Sequence, residues 1–169
     1  AVGGDEERRH GIILAKNELA KKYGVVTAET LASARRKCPD LVIVPPHHSL
    51  YHKYSKLVNS IYLRYTDLVE PFGIDESWLD ITGSMHLFGE KDYKTAEKIA
   101  NEIKTTVKKE TGLTLSIGVS FNKVFAKLGS DYKKPDAVTV IGRENFQEIV
   151  EYIRFEQNDK TAIFSFGGK

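Results

Sequence analysis

Two β-rich apolar runs, residues 68–74 and 77–82, are separated only by Asp75-Glu76. A connection that short forces the chain to reverse into an antiparallel hairpin, because a parallel crossover needs about a dozen residues or more. A lone hairpin is marginal in water, so one face needs cover. Two helix-period segments can supply it. Leu50, Tyr54, Leu57, Ile61 and Tyr65 recur on one helix face over residues 47–66, and Ala96, Ile99, Ile103 and Val107 mark a second amphipathic helix that stops at Gly112. Strands over residues 113–121 and 137–141 then bracket a helix over 122–132. The alternation predicts an α+β fold, a ferredoxin-like layer in which an antiparallel sheet carries helices on one face.

Ahead of this layer the pattern is finer-grained. Ala1-Val2-Gly3-Gly4 and the run 11–15 read as strands around a charged turn. Helices follow over 16–23, stopped by Gly24, and over 28–37, before Pro39. Leu41-Val42-Ile43-Val44 reads as a short buried strand closed by Pro45-Pro46. Residues 1–46 therefore form a small α/β subdomain and 47–141 the main layer; 142–169 open with a helix over 145–153 and end in a weakly periodic tail.

With 169 residues, 41% of them hydrophobic, the chain can bury one sizeable core and a small satellite. Lys and Arg number 25 against 23 Asp and Glu, so any basic surface is local rather than global. Cys38 is the single cysteine, which excludes an internal disulfide and a cysteine zinc cluster and fits a reducing cytosol. No apolar run reaches the length of a membrane span and no signal-peptide pattern opens the chain, so a soluble cytoplasmic protein with no membrane partner is expected.

The acidic pair at the hairpin needs an explanation, as does Asp80 four positions on. Side chains alternate across a strand, so Asp75 and Glu76 point apart unless the bend turns both toward one site. Such a bend suits Mg²⁺, which is held by one or two carboxylates plus substrate phosphates. Asp is also a common turn residue, and on spacing alone a solvated turn is the simpler reading. Downstream, residues 122–135 hold Lys123, Lys127, Lys133 and Lys134 against one acid, Asp131. Lys123 and Lys127 share a helix face, with Val124, Phe125 and Leu128 free to turn to the core. Arg35-Arg36-Lys37 closes a helix C-terminus. His48 and His52 have the spacing of a helical metal half-site but no third ligand nearby.

Three ordered blocks carry a resemblance. The run from Glu70 to Thr82, with Asp75-Glu76-Ser77-Trp78-Leu79-Asp80 at its centre, resembles the catalytic hairpin of Y-family translesion DNA polymerases of the DinB (ImpB/MucB/SamB) type. Leu115-Ser116-Ile117-Gly118-Val119-Ser120, then Asn122-Lys123-Val124-Phe125-Ala126-Lys127-Leu128 and Lys134-Pro135, resemble that family's palm strand, helix and phosphate-facing loop. Ala1-Val2-Gly3-Gly4 through Ala20-Lys21-Lys22-Tyr23-Gly24-Val25 is similar to its fingers.

The resemblance implies fingers at 1–46, palm at 47–141 and the start of a thumb or a divergent tail at 142–169. It implies a template-directed polymerase that repairs or bypasses DNA damage by nucleotidyl transfer to a primer 3′-end with two Mg²⁺ ions. Asp75 and Glu76 would be catalytic metal ligands, Lys21 and Lys134 would reach the triphosphate of a deoxynucleotide, and Lys123 and Lys127 would face primer-template DNA. A sliding clamp would be a partner of the full-length parent only. Departures are equally specific. Family members carry a further N-terminal strand with the remaining metal-binding Asp, and Glu18 stands where many relatives have a Tyr that contacts the triphosphate. Without that strand the isolated chain is expected to be inactive, with a sheet edge open to self-association. The competing expectations are a noncatalytic or degenerate paralogue that binds DNA or nucleotide, and a nucleotidyl cyclase suggested by Gly3-Gly4-Asp5-Glu6-Glu7.

Overall fold

The computed structural model describes residues 1–4 and 11–156. The charged turn before Gly11 and most of the weakly periodic tail lie outside the described residues. The chain divides into two compact units, Ala1–Tyr51 and the remainder from His52, so the division falls inside a helix.

In the first unit, β1 (Val2–Gly3) pairs antiparallel with β2 (Ile13–Ala15). Helix α1 (Glu18–Lys22) is capped by Asn17, whose side chain accepts from the Ala20 amide at 3.0 Å. Helix α2 (Leu31–Lys37) is capped by Thr30. Ile13, Ala20, Val25, Leu31 and Ala34 form its core. Two expectations are corrected here. Residues 41–44 are not a buried strand: Val44 makes one parallel bridge to Val2, and Val42 is 73% exposed. Strand β1 is only two residues long and already paired with β2, so it offers a single bridge rather than a ladder. The second helix starts at Leu31 rather than residue 28, because Ala28 sits at φ +68, a left-handed conformation no helix can include.

That turn is tied down by Glu29. Its carboxylate accepts from the Val26 amide (2.7 Å), the Ser33 hydroxyl (2.9 Å) and the Lys37 ammonium (2.7 Å). The Lys37 hydrogen bond, followed by that from Val26, holds the Glu29 carboxyl down to about 2 from its usual 4.5.

In the second unit, α3 (His48–Tyr62) crosses from the first, and α4 (Tyr93–Thr111) runs from an Asp92 cap to Gly112 at φ +75. The expected apolar stripe on α3 is buried only at its C-terminal end. Ile61 and Tyr65 pack with Ile99, Ile103 and Val107, whereas Leu50 and Leu57 are exposed. Between the two helices come β3 (Val69–Pro71), β4 (Ser77–Leu79) and a single 3₁₀ turn, Met85–Leu87. After α4 follow β5 (Ile117–Ser120), α5 (Lys123–Tyr132), β6 (Val138–Ile141) and α6 (Phe146–Glu156).

The α+β class stands, with one pairing different from the expected antiparallel sheet. β3 and β4 form the antiparallel hairpin, Val69 opposite Leu79 and Pro71 opposite Ser77, but β5 and β6 run parallel, Ile117 opposite Val138. The reason is that α5 spans the connection, and a helical crossover returns the chain in the same direction. Among the described residues these are separate two-stranded ladders rather than one sheet. No helix among the described residues is long and apolar enough to cross a membrane.

Helix α5 lies against β5 at a distance only glycine permits. A Cβ built on Gly118 would collide with the Ala126 carbonyl oxygen and approach the Ser130 amide nitrogen to 2.6 Å; opposite it, a Cβ on Gly129 would meet the Gly118 Cα at 3.2 Å. Because the obstacle at Gly118 is backbone, no rotamer change relieves it. Gly118→Ala is therefore expected to push α5 off β5 and cost about 1–3 kcal/mol of stability, read by denaturant melts; an unchanged midpoint would refute this contact. For Glu29, carboxyl NMR is expected to show titration near 2 in the wild type and a return toward 4.5 in Lys37→Met. Since the folded carboxyl is depressed, its stabilisation is complete above 4.5 and is lost as pH falls toward 2.

Candidate active site

The hairpin is longer at its tip than its sequence suggests. Strand β3 ends at Pro71 and β4 resumes at Ser77, which leaves a connection of residues 72–76 closed by the Phe72 amide donating to the Glu76 carbonyl at 2.8 Å. Gly73 turns the chain at φ +89, a conformation natural only to glycine. The bend carries Asp75 into solvent and leaves Glu76 half-buried, yet both line one cavity of about 1020 Å³.

Alternation along β4 then decides what faces α5. Leu79 packs into the core and the Ser77 hydroxyl donates to Asn59 Oδ1 at 2.7 Å, so Glu76 and Trp78 share the other face. Helix α5 answers that row one turn apart. The Lys123 ammonium lies 5.9 Å from the Trp78 ring centroid and 2.5 Å from Glu70 Oε2, on the residue opposite Trp78 in the ladder. The Lys127 ammonium donates to Glu76 Oε1 and stands 3.3 Å from Asp131 Oδ2. Asp131 Oδ1 in turn holds Lys134 at 2.5 Å. Glu76, Lys127, Asp131 and Lys134 thus form one alternating chain of charges.

Burial alone would lower the Lys127 pKa, but its bonds to Glu76 and Asp131 outweigh that and raise it. Burial likewise opposes ionisation of Asp131, yet Lys134 and Lys127 keep its carboxyl below the ordinary range. The turn carrying Lys134 is anchored from α4. Lys104 donates to the Asp136 carbonyl at 2.9 Å, and Lys108 meets its carboxylate at 3.0 Å. Asp136 itself adopts φ +54.

The structure brings Asp75, Glu76, Lys123, Lys127 and Lys134 to the cavity wall. Lys21 lies in the first unit, exposed on α1, and pairs with Glu18 at 3.7 Å. Asp80, which the spacing left unexplained, caps its own turn by accepting from the Thr82 amide at 2.9 Å. Of the α5 residues expected to turn inward, Phe125 and Leu128 are half-buried but Val124 is 57% exposed. Asp131 escaped the sequence reading as the hub of the charge chain. The signal was present: it stands four residues after Lys127 and three before Lys134, both spacings that bring side chains together on a helix.

The same cavity is lined by β4 and β5 and by Ala96, Ile99, Ala100 and Ile103 of α4. Each of the two strands is paired on one side only among the described residues. Donor chemistry at the hairpin suits a hard divalent cation, with two carboxylates on a bend and an ammonium already on one of them. No group of three or more His, Cys, Asp or Glu that could hold a metal occurs among the described residues.

Comparison with known proteins gives a consistent picture. A DNA polymerase IV of Acetivibrio thermocellus is 59% identical over 148 residues, 88% of this chain and 36% of that protein. The crystal structure of DinB from Sulfolobus solfataricus is 25% identical with a TM-score of 0.79, covering 87% of this chain and 42% of that one. The insertion ternary complex of Dbh DNA polymerase, also 25% identical, superposes with a TM-score of 0.80 over 89% of this chain and 43% of the other. The chain thus spans about a third of the length of such curated relatives. A model of the impB/mucB/samB family matches residues 1–131, across the first unit, the acidic hairpin and nearly all of the lysine-bearing helix, and the chain belongs to that family.

Proposed function

We propose that this chain is the fingers and palm portion of a translesion DNA polymerase, and that Asp75 and Glu76 are its metal ligands for nucleotidyl transfer. The observation that carries the reading is the meeting of the two hairpin carboxylates with the α5 lysine row at one cavity. When bound, two Mg²⁺ ions would supply charge neutralisation at the attacking and leaving oxygens. The chain's own residues would position the reactants: Asp75 and Glu76 would hold the cations, while Lys134 would receive the triphosphate of the incoming deoxynucleotide. Lys123 and Lys127 present ammonium groups beside the hairpin, where primer-template phosphates would lie. Catalysis of this kind rests on placement and electrostatics and needs no covalent enzyme intermediate.

The cavity between β4 and β5 supports the incompleteness of the donor set. An extended segment between the two half-paired strands would join the ladders into one sheet, at the usual spacing of about 4.8 Å per strand. A strand carrying the family's remaining metal-binding Asp would complete the donor set there. The same open edges would otherwise favour self-association. A sliding clamp belongs to the parent protein, outside this segment.

Primer extension by the parent polypeptide with Mg²⁺ and all four deoxynucleotides tests the assignment. Asp75→Asn and Glu76→Gln are each expected to lower the rate by at least about a hundredfold, the scale of removing a preorganised electrostatic group, with folding intact by circular dichroism. Near-normal extension by either folded variant would sink the metal-ligand assignment.

A further inference from the structure

We infer that Lys127 is a resident cation of the carboxylate site: it holds Glu76 until a divalent ion takes that carboxylate, then passes to Asp131 and loosens Asp131's hold on Lys134. The inference rests on the reading of Asp75 and Glu76 as metal ligands. Its basis is the order of charges, Glu76, Lys127, Asp131, Lys134, in which each interior member touches both neighbours.

Three features make the exchange feasible. The second acceptor is already in reach, since Lys127 Nζ stands 3.3 Å from Asp131 Oδ2, so a rotation of a flexible four-carbon stem completes the transfer without moving α5. The groups are half-exposed, with side-chain accessibilities of 37% for Lys127, 35% for Glu76 and 47% for Asp131, so the charges change partners without the penalty of a dry interior. Asp131 splits its two oxygens between the lysines, Oδ2 toward Lys127 and Oδ1 on Lys134. A fuller bond to Lys127 therefore weakens its claim on Lys134, whose ammonium becomes available to a triphosphate.

Coupling of this kind is reciprocal. A triphosphate that draws Lys134 off Asp131 leaves that carboxylate free to accept Lys127, which eases entry of the cation at Glu76. Lys123 is the internal comparison. It pairs with Glu70, and among the described residues it has no second acid to be handed to.

Mn²⁺ binding to the 169-residue chain, followed by electron paramagnetic resonance, tests this without any catalytic readout. Glu76→Gln should weaken binding sharply; if it does not, the metal assignment and this inference both fall. Lys127→Met is expected to tighten Mn²⁺ binding about fivefold, the scale of losing one half-exposed ion pair, while Lys123→Met changes it less than about twofold. Asp131→Asn should weaken binding in the wild-type background but not in Lys127→Met, because its part is to receive the lysine. Lys134 side-chain NMR signals should shift on Mg²⁺ addition in the wild type and not in Lys127→Met. Equal effects of the two lysine variants, or an Asp131→Asn effect that is the same in both backgrounds, would overturn the handover while leaving the metal site in place.

Discussion

The close approach of α5 to β5 is the constraint on which the site depends. With no side chain at Gly118, the Ala126 carbonyl and Ser130 amide can lie directly on the strand, and Gly129 completes the contact from the helix side. Helix depth fixes the positions of Lys123 and Lys127, one turn apart, against the row Trp78 and Glu76 on the hairpin. The parallel return of β6 follows from the same crossover, and β6 leads out of the turn that carries Lys134. A backbone-to-backbone packing detail thus decides where positive charge stands relative to the acidic bend.

Charge at the site is arranged in series rather than as isolated pairs. Exposed ion pairs contribute little individually, so the chain from Glu76 to Lys134 is better understood as placement than as stability. Each lysine is kept beside an acid at the cavity wall, where the arrival of another cation or anion would redistribute existing partners rather than leave a charge unpaired. Glu29 in the first unit contrasts with this. Its three donors lock a left-handed turn.

Much of the architecture was legible from period and punctuation. The hairpin, the buried face of α4 and the β5-α5-β6 succession all follow from apolar spacing with Gly112 and Asn122 as boundaries. The failures have local causes. Residues 41–44 are apolar enough for a strand, but strand formation needs a partner edge, and β1 offered one bridge. The helix stripe through Leu50 and Leu57 had the right period, but among the described residues both stay exposed. Periodicity reports what a segment can bury, not whether anything lies across from it. At the site, the acidic pair and the lysines were readable by residue type and by family likeness, whereas their connectivity through Asp131 required the helix to be set against the hairpin.

Between hairpin and helix, the described contacts are a cation over an indole and two ammonium-carboxylate pairs, not a ladder of backbone hydrogen bonds. Their strength therefore depends on the surrounding electrolyte, which screens charges over about 8 Å at physiological ionic strength. The acidic bend rests on α5 as on a compliant mount whose stiffness is set by dissolved ions: firm in dilute buffer, slack in brine, while the Gly118 contact beneath it stays indifferent to salt.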